Sequence, residues 1–249
     1  MVKNQFTTNA LIIREQQLGE SDRLITMLSS DYGIIKAYAT GAKTIKSKKG
    51  AATSLLAYSS VTLSLKNNTY RVIEAAPIEI FFKAGQDLEN LSLAQYFCEL
   101  CDTYAPRDEN CNDILRLVLN SLYFLSEKKR NIHLLKGIFE LRLMSQVGYM
   151  PDLVACKTCV KYEDDIMYFD TYEGLLYCTG CVKYSKDFAV INKTLLTAMR
   201  HIVYVDLSKL FAFSIPNEAA VALAKITERY LLNKTEHTFQ TLNFFNTLF

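Results

Sequence analysis

Two Cys-x-x-Cys pairs, Cys156-Lys157-Thr158-Cys159 and Cys178-Thr179-Gly180-Cys181, stand with eighteen residues between them. Such a loop lets two thiolates converge on a soft cation at about 2.3 Å, and a spacer of roughly 15 to 20 residues suits two loops sharing one tetrahedral zinc. The spacer carries short apolar runs, Met167 to Asp170 and Leu175 to Cys178, around Thr171-Tyr-Glu-Gly174. A small hairpin can therefore return the second pair to the first. Four protein sulfurs leave no position open for water or substrate, so the expected ion is one structural Zn2+ rather than a catalytic one. Two disulfides or redox-active thiols are the alternative. The polar start, Met1 to Thr8, has no export-signal pattern, and the odd count of seven cysteines fits a reducing compartment. From Cys156 to Lys186 the bases Lys157, Lys161, Lys183 and Lys186 are matched by Glu163, Asp164, Asp165, Asp170 and Glu173, so this region is no obvious phosphate binder. A third pair, Cys98 and Cys101, lies in an apolar helical pattern and reads as two small buried hydrophobes.

At 249 residues, half of them hydrophobic, the chain is globular and long enough for more than one core. No apolar run reaches the roughly 18 residues of a membrane helix, which predicts a soluble, intracellular protein. Residues 8 to 76 read as five short strands: Thr8 to Arg14, Leu24 to Ser29, Gly33 to Gly41, Leu55 to Lys66 and Thr69 to Ala75. The clearest pair is Val61 to Leu65, in strict alternation, then Asn67-Asn68 as a tight turn and Tyr70 to Ile73. Five strands in about 70 residues match an oligonucleotide-binding (OB-like) barrel, with an SH3-like barrel as the alternative. Pro77 is the expected boundary.

After it the pattern turns helical. Leu88 to Ala105, about Asp113 to Ser126, Ile132 to Gln146, Asn192 to Val203 and Pro216 to Leu232 are predicted helices, and the phenylalanine-rich tail Phe239 to Phe249 is expected to pack onto the body. Lys128-Lys-Arg130 suits the C-terminus of the second helix. The fold class is thus α+β and multidomain: a barrel over 1–80, then an α-helical domain over 81–249 with a four-cysteine zinc-binding knuckle inserted at about 154–184.

Net charge is only +2, but residues 1–80 hold ten Lys and Arg against six Asp and Glu. Between Asp31 and Glu74 there is no acid, while Lys36, Lys43, Lys46, Lys48, Lys49, Lys66 and Arg71 all fall there. This one-sided field is the footprint of a polyanion partner. Lys36 and Tyr38 share one strand face, pairing a phosphate contact with a base-stacking platform, unless that face is simply solvated. Gly41 to Gly50, with four lysines, reads as a basic loop. Neither a phosphate-binding nucleotide loop, a Rossmann turn, a Gly-x-Ser-x-Gly elbow nor a His-Glu-x-x-His helix occurs, and His133, His201 and His237 are scattered, so an enzyme is disfavoured. A zinc-stabilised RNA-binding or protein-interaction module has the same physics.

Taken together, Gly19-Glu-Ser-Asp-Arg-Leu24, Asp31-Tyr-Gly-Ile-Ile-Lys36, Thr40-Gly-Ala-Lys43 with Lys46-Ser-Lys48, and the two cysteine pairs resemble the bacterial recombination-mediator family RecO over the whole chain. The resemblance implies a cytoplasmic, nucleoid-associated protein without catalytic turnover. Such a protein binds single- and double-stranded DNA and anneals complementary strands. With RecR, and sometimes RecF, it helps RecA replace SSB, whose C-terminal tail docks on the helical body. Family members usually carry an arginine-rich loop where this chain has lysines, which implies more salt-sensitive binding.

Overall fold

The computed structural model describes residues 5–44, 47, 49–81, 87–183 and 188–249. In chain order it has five strands, β1 (Gln5–Leu18), β2 (Asp22–Ser29), β3 (Gly33–Ala39), β4 (Ala57–Lys66) and β5 (Thr69–Ile80). Helices α1 (Leu88–Tyr104), α2 (Asn112–Ser126) and α3 (Ile132–Gln146) follow. Then come β6 (Asp152–Cys156), β7 (Ile166–Asp170), β8 (Leu175–Cys178), β9 (Phe188–Asn192), α4 (Lys193–Tyr204), α5 (Asn217–Thr235) and α6 (Gln240–Asn246). Two compact units result: 1–127 with 239–249, and 128–238. No helix among the described residues is long and apolar enough to cross a membrane.

In the first unit the five strands close into a barrel of order β1-β2-β3-β5-β4, with β3 and β5 parallel and β4 returning to β1. This is the OB-like architecture expected. Alternation drives the closure. Ala10, Ile12, Ile25, Met27, Ile35, Ala37, Ala39, Val61, Leu63 and Val72 point inward and form one core, sealed at one end by Phe6 and Tyr70. Bulges bend the long strands, since an extra residue on one side increases local twist. Ile13 is the extra residue of β1 against β2, and Ile73 and Ile78 are those of β5 against β4. Asn67 and Asn68 both take positive φ, 50° and 58°, as a two-residue hairpin turn requires. Pro77 does not end the barrel. It pairs with Ser59 beside the Ile78 bulge, where a missing N–H is tolerated, and β5 runs on to Ile80.

The barrel is not half-exposed all round. Leu11, Ile13, Leu28 and Ile34 lie outside the interior set yet are buried, because α1 and α2 pack against β1 and β2. One close approach locks this arrangement. Gly33, at φ +62°, lets the Pro106 carbonyl come so near that an added Cβ would meet its oxygen at 2.0 Å. There Ile34 N–H donates to Pro106 O at 3.1 Å and Cys111 N–H to Ser30 O at 2.9 Å. Cys98 and Cys101 are buried in α1, and burial pushes the Cys98 thiol up to about 12. Of the tail phenylalanines, Phe239 and Phe245 are buried, with Phe239 against Tyr96 and Tyr104, while Phe244 and Phe249 stay exposed.

In the second unit α3 packs on α5, and a sheet of order β6-β8-β7-β9 carries the cysteine region. The β7–β8 hairpin was legible; β6 and β9 were not, being five-residue strands with few buried positions. Asn192 caps α4 by accepting from Leu195 N–H. Arg130 does not cap α2: its guanidinium donates to the Phe211 and Phe213 carbonyls at 2.6 and 3.0 Å. The apolar α3 also buries a charged group. Lys136 Nζ lies 2.7 Å from Glu140 and 2.8 Å from Glu228, and the Thr227 hydroxyl donates to Glu140. Burial raises the Glu140 carboxyl above its ordinary value, against the opposing pull of Lys136 and Thr227.

Two outcomes are expected. Gly33→Ala should cost about 2–4 kcal/mol in urea unfolding, since backbone must move at a left-handed position; a loss within about 0.5 kcal/mol would contradict the close approach. Lys136→Met removes the main influence holding Glu140 down, so the folded state then favours the protonated acid more strongly. A carboxyl raised on folding stabilises below its unfolded value, and that contribution is lost as pH climbs through the folded one. The variant's stability, relative to the parent, should therefore fall as pH rises above the ordinary carboxylate range in parallel unfolding curves.

Candidate nucleic-acid interface and metal centre

The two-residue strand period that buries Ile35, Ala37 and Ala39 turns Lys36 and Tyr38 outward, and Tyr38 is 41% exposed. The parallel register sets Arg71 of β5 beside Tyr38. Lys66 is exposed at the end of β4, next to the Asn67-Asn68 turn. Lys43 and Lys49 lie in the loop after β3, and Lys46 and Lys48 fall outside the described residues. Lys43 Nζ donates to Gln17 Oε1 at 2.6 Å and Lys49 Nζ to the Val72 carbonyl at 3.3 Å. Both partners are neutral. Among the described residues none of Lys36, Lys43, Lys49, Lys66 and Arg71 lies within 4.0 Å of a carboxylate. No carboxylate among the described residues neutralises these five cations.

In the second unit the ligand atoms of Cys156, Cys159, Cys178 and Cys181 all lie within 4.8 Å of one another. Cys159 Sγ and Cys178 Sγ are 3.6 Å apart, close to the roughly 3.8 Å that a tetrahedral ion with 2.3 Å bonds imposes. All four cysteines are free, which sets aside the disulfide alternative. Backbone builds the two loops. Cys156 N–H donates to Lys161 O at 2.8 Å and Val160 N–H to Cys156 O at 2.9 Å, and Cys181 N–H to Cys178 O at 3.0 Å closes the second. Val160 sits at φ +60°, a strained position for a β-branched residue. Burial pushes the Cys156 thiol up, but N–H groups of Cys159, Cys178 and Thr158 together with the Cys159 thiol outweigh it and bring it down to about 6. Hydrogen bonds that the Cys181 thiol donates to Cys159 and Cys178, with burial, push it up to about 12. The tetrad thus favours one resident thiolate before any ion arrives, and the donor set fits zinc.

Family models for the N-terminal and C-terminal parts of recombination protein O match residues 1–81 and 85–243. The chain is 33% identical over 245 residues to the DNA repair protein RecO of Acetivibrio thermocellus, covering 98% of each. The chain belongs to the RecO family. It is also 26% identical over 238 residues to the protein of that name from Caldicellulosiruptor bescii, with 96% of each covered, and 24% over 225 residues to that of Alkaliphilus metalliredigens, with 90% of this chain and 92% of the relative.

The Gly19 to Leu24 stretch has a physical role in this chain. Asp22 Oδ1 accepts from Gly41 N–H at 2.8 Å, and Ser21 O accepts from Lys43 N–H at 2.9 Å, fixing the start of the lysine loop. Arg23 donates to Gly50 O at 2.8 Å and to the Thr53 hydroxyl at 3.3 Å, fixing its end. Sequence reading missed this clamp because the partners are 19 to 30 residues apart. It missed Arg200 as well. That side chain of α4 donates to Leu153 O and Val154 O at 2.8 and 2.9 Å and to Tyr162 O, and lies 3.9 Å from the Tyr162 ring centroid. One guanidinium ties α4 to both ends of the first cysteine loop.

Cys178→Ser should reduce zinc to well below one ion per chain by metal analysis. It should also lower the melting temperature by about 10 °C or more, because ligation energy is folding energy and about 1 kcal/mol shifts a domain of this size by 2–4 °C. A parent protein purified without zinc, and indifferent to added zinc in melting, would overturn the assignment.

Proposed function

We propose that this chain is a DNA repair and recombination mediator that binds single- and double-stranded DNA through the outer face of its barrel and anneals complementary strands. With RecR, and sometimes RecF, it would help RecA load onto strands coated by SSB, whose tail would dock on the helical part. The observation that carries the reading is the set of unneutralised cations on one closed barrel, Lys36 and Arg71 on adjacent strands beside Tyr38, with Lys43 and Lys49 in a clamped loop and Lys66 at the hairpin end. Lysine ammonium groups would neutralise phosphates, and Tyr38 would stack on a base, a combination that grips sugar-phosphate chains without reading their sequence. Zinc at the cysteine tetrad would hold the second unit's sheet to α4 through Cys156 and Arg200, away from any chemical step. Barrel 1–80 and helical part 81–249 would divide the work into DNA gripping and scaffold.

A binding role without turnover accords with the state of the remaining ionisable groups. His201 Nε2 lies 3.1 Å from the Lys209 carbonyl and its ring 4.6 Å from Phe213. The acidic run Glu163 to Asp165 is paired with Lys161, Lys193 and Arg200. RNA would suit the same barrel physics, but family membership favours DNA, and the chain would then work in the cytoplasm beside the nucleoid.

If Lys43, Lys46, Lys48 and Lys49 neutralise about four phosphates, affinity for a single strand should fall with salt at a logarithmic slope of roughly −3 from these residues alone. Changing all four to alanine should flatten the slope by about that amount in fluorescence-anisotropy titrations, with thermal stability unchanged. An unaltered slope and affinity would defeat the reading, and so would tighter binding to RNA than to DNA of the same sequence.

A further inference from the structure

Strand β3 pairs with β5 only at Ala37 with Tyr70 and Tyr38 with Arg71. Among the described residues no strand covers that edge of β5 beyond Arg71. A groove of about 590 Å³ opens there, between Gly41, Thr44, Ser47 and Lys49 on one side and β4 and β5 on the other. That volume lies in the range of roughly 300–1,000 Å³ found for small-ligand sites. Thr44 and Lys49 form the loop wall; Ser60, Thr62, Ile73 and Glu74 form the sheet wall. Ile73 is the extra residue of the bulge, which turns an aliphatic side chain outward with 42% of its surface exposed.

The lining decides between ligand classes. A phosphate would meet the Glu74 carboxylate and an aliphatic face, both unfavourable. A nucleobase offers a flat apolar surface for Ile73 and an edge of donors and acceptors for the hydroxyls and the carboxylate. Cations stand outside the groove at the right places, with Lys49 on its wall and Arg71 and Tyr38 where the edge becomes covered. A strand held there by its phosphates can turn one base inward.

We propose that this groove takes a single unstacked base bearing an exocyclic amino group, cytosine or adenine, with Glu74 accepting from the amine and Ile73 against the ring. This deepens the single-strand reading of the barrel and rests on it. Thymine presents a carbonyl oxygen where cytosine presents its amine, so it faces the carboxylate acceptor to acceptor. A base inside a duplex cannot enter without leaving its stack, so the groove also favours unpaired strands.

The test uses the full chain and homopolymeric strands of equal length at one salt concentration. Oligo-dC should bind about fivefold or more tighter than oligo-dT, the low end of what one good base contact supplies. Glu74→Gln presents both a donor and an acceptor, so it should bring the dC-to-dT ratio to near one. Removing a negative charge strengthens all strands alike and leaves the ratio as the readout. Parent affinities for dC and dT that are equal, or a ratio that survives Glu74→Gln, would overturn the groove assignment while leaving DNA binding intact. No binding to any strand would overturn the DNA reading itself.

Discussion

A five-stranded sheet with an apolar inner face must roll until that face is sealed, and this requirement organises the first unit. Inward positions fall on every second residue, and many are small: Ala10, Ala37 and Ala39 on two different strands. Small inward residues permit a tight barrel, and bulges at Ile13, Ile73 and Ile78 supply the curvature. The same period leaves alternate residues nowhere to go but outward. Lys36, Tyr38 and Arg71 therefore face solvent because Ile35, Ala37 and Val72 cannot. The charged face is a consequence of the core, not an addition to it.

Legibility in the sequence followed distance along the chain. The Asn67-Asn68 hairpin, the α3 boundaries, the Asn192 cap and the cysteine hairpin are local signals, each contained within a few residues, and the structure has them where the sequence placed them. Features that depend on remote partners were silent. Gly33 reads as an ordinary turn glycine until Pro106 arrives against it. Asp22 and Arg23 read as surface charges until the ends of the lysine loop return to them. Pro77 shows the opposite failure, a strong local breaker overruled because a bulge removed the need for its N–H. Arg130, read as a helix cap, instead serves carbonyls more than eighty residues away.

Cation chemistry separates the two units. In the second, Arg130, Arg142 and Arg200 spend their planar forks on backbone carbonyls of Phe211, Ile202 and Leu153 among others. A rigid guanidinium with several donors is well suited to hold irregular backbone together. On the barrel the cations without a carboxylate partner are mostly lysines, flexible point charges rather than planar forks. Arg23, the arginine that closes the lysine loop, is again structural. Residue choice thus differs between the units, with arginine holding fixed backbone in the second and mostly lysine left without a carboxylate partner on the barrel.

The buried Lys136 cluster needs a different account. Lys136 meets two carboxylates and the Ala224 carbonyl, and Gly137 next to it lets α3 approach Leu223 and Ala224 of α5 closely. An apolar pair of helices could slide by one turn at modest cost. The buried Lys136–Glu140 pair resists this, because a slide would strip Lys136 of Glu228 and the Ala224 carbonyl and Glu140 of the Thr227 hydroxyl, leaving the intrahelical pair short of partners in a low-dielectric site. The cluster and the adjacent glycine therefore fix one register of α3 against α5. In the same unit α5 also supplies Tyr230, whose hydroxyl donates to the Tyr149 carbonyl and whose ring touches Phe169 of the cysteine-bearing sheet. One residue of α5 thus ties the helix pair to the sheet that carries the cysteines.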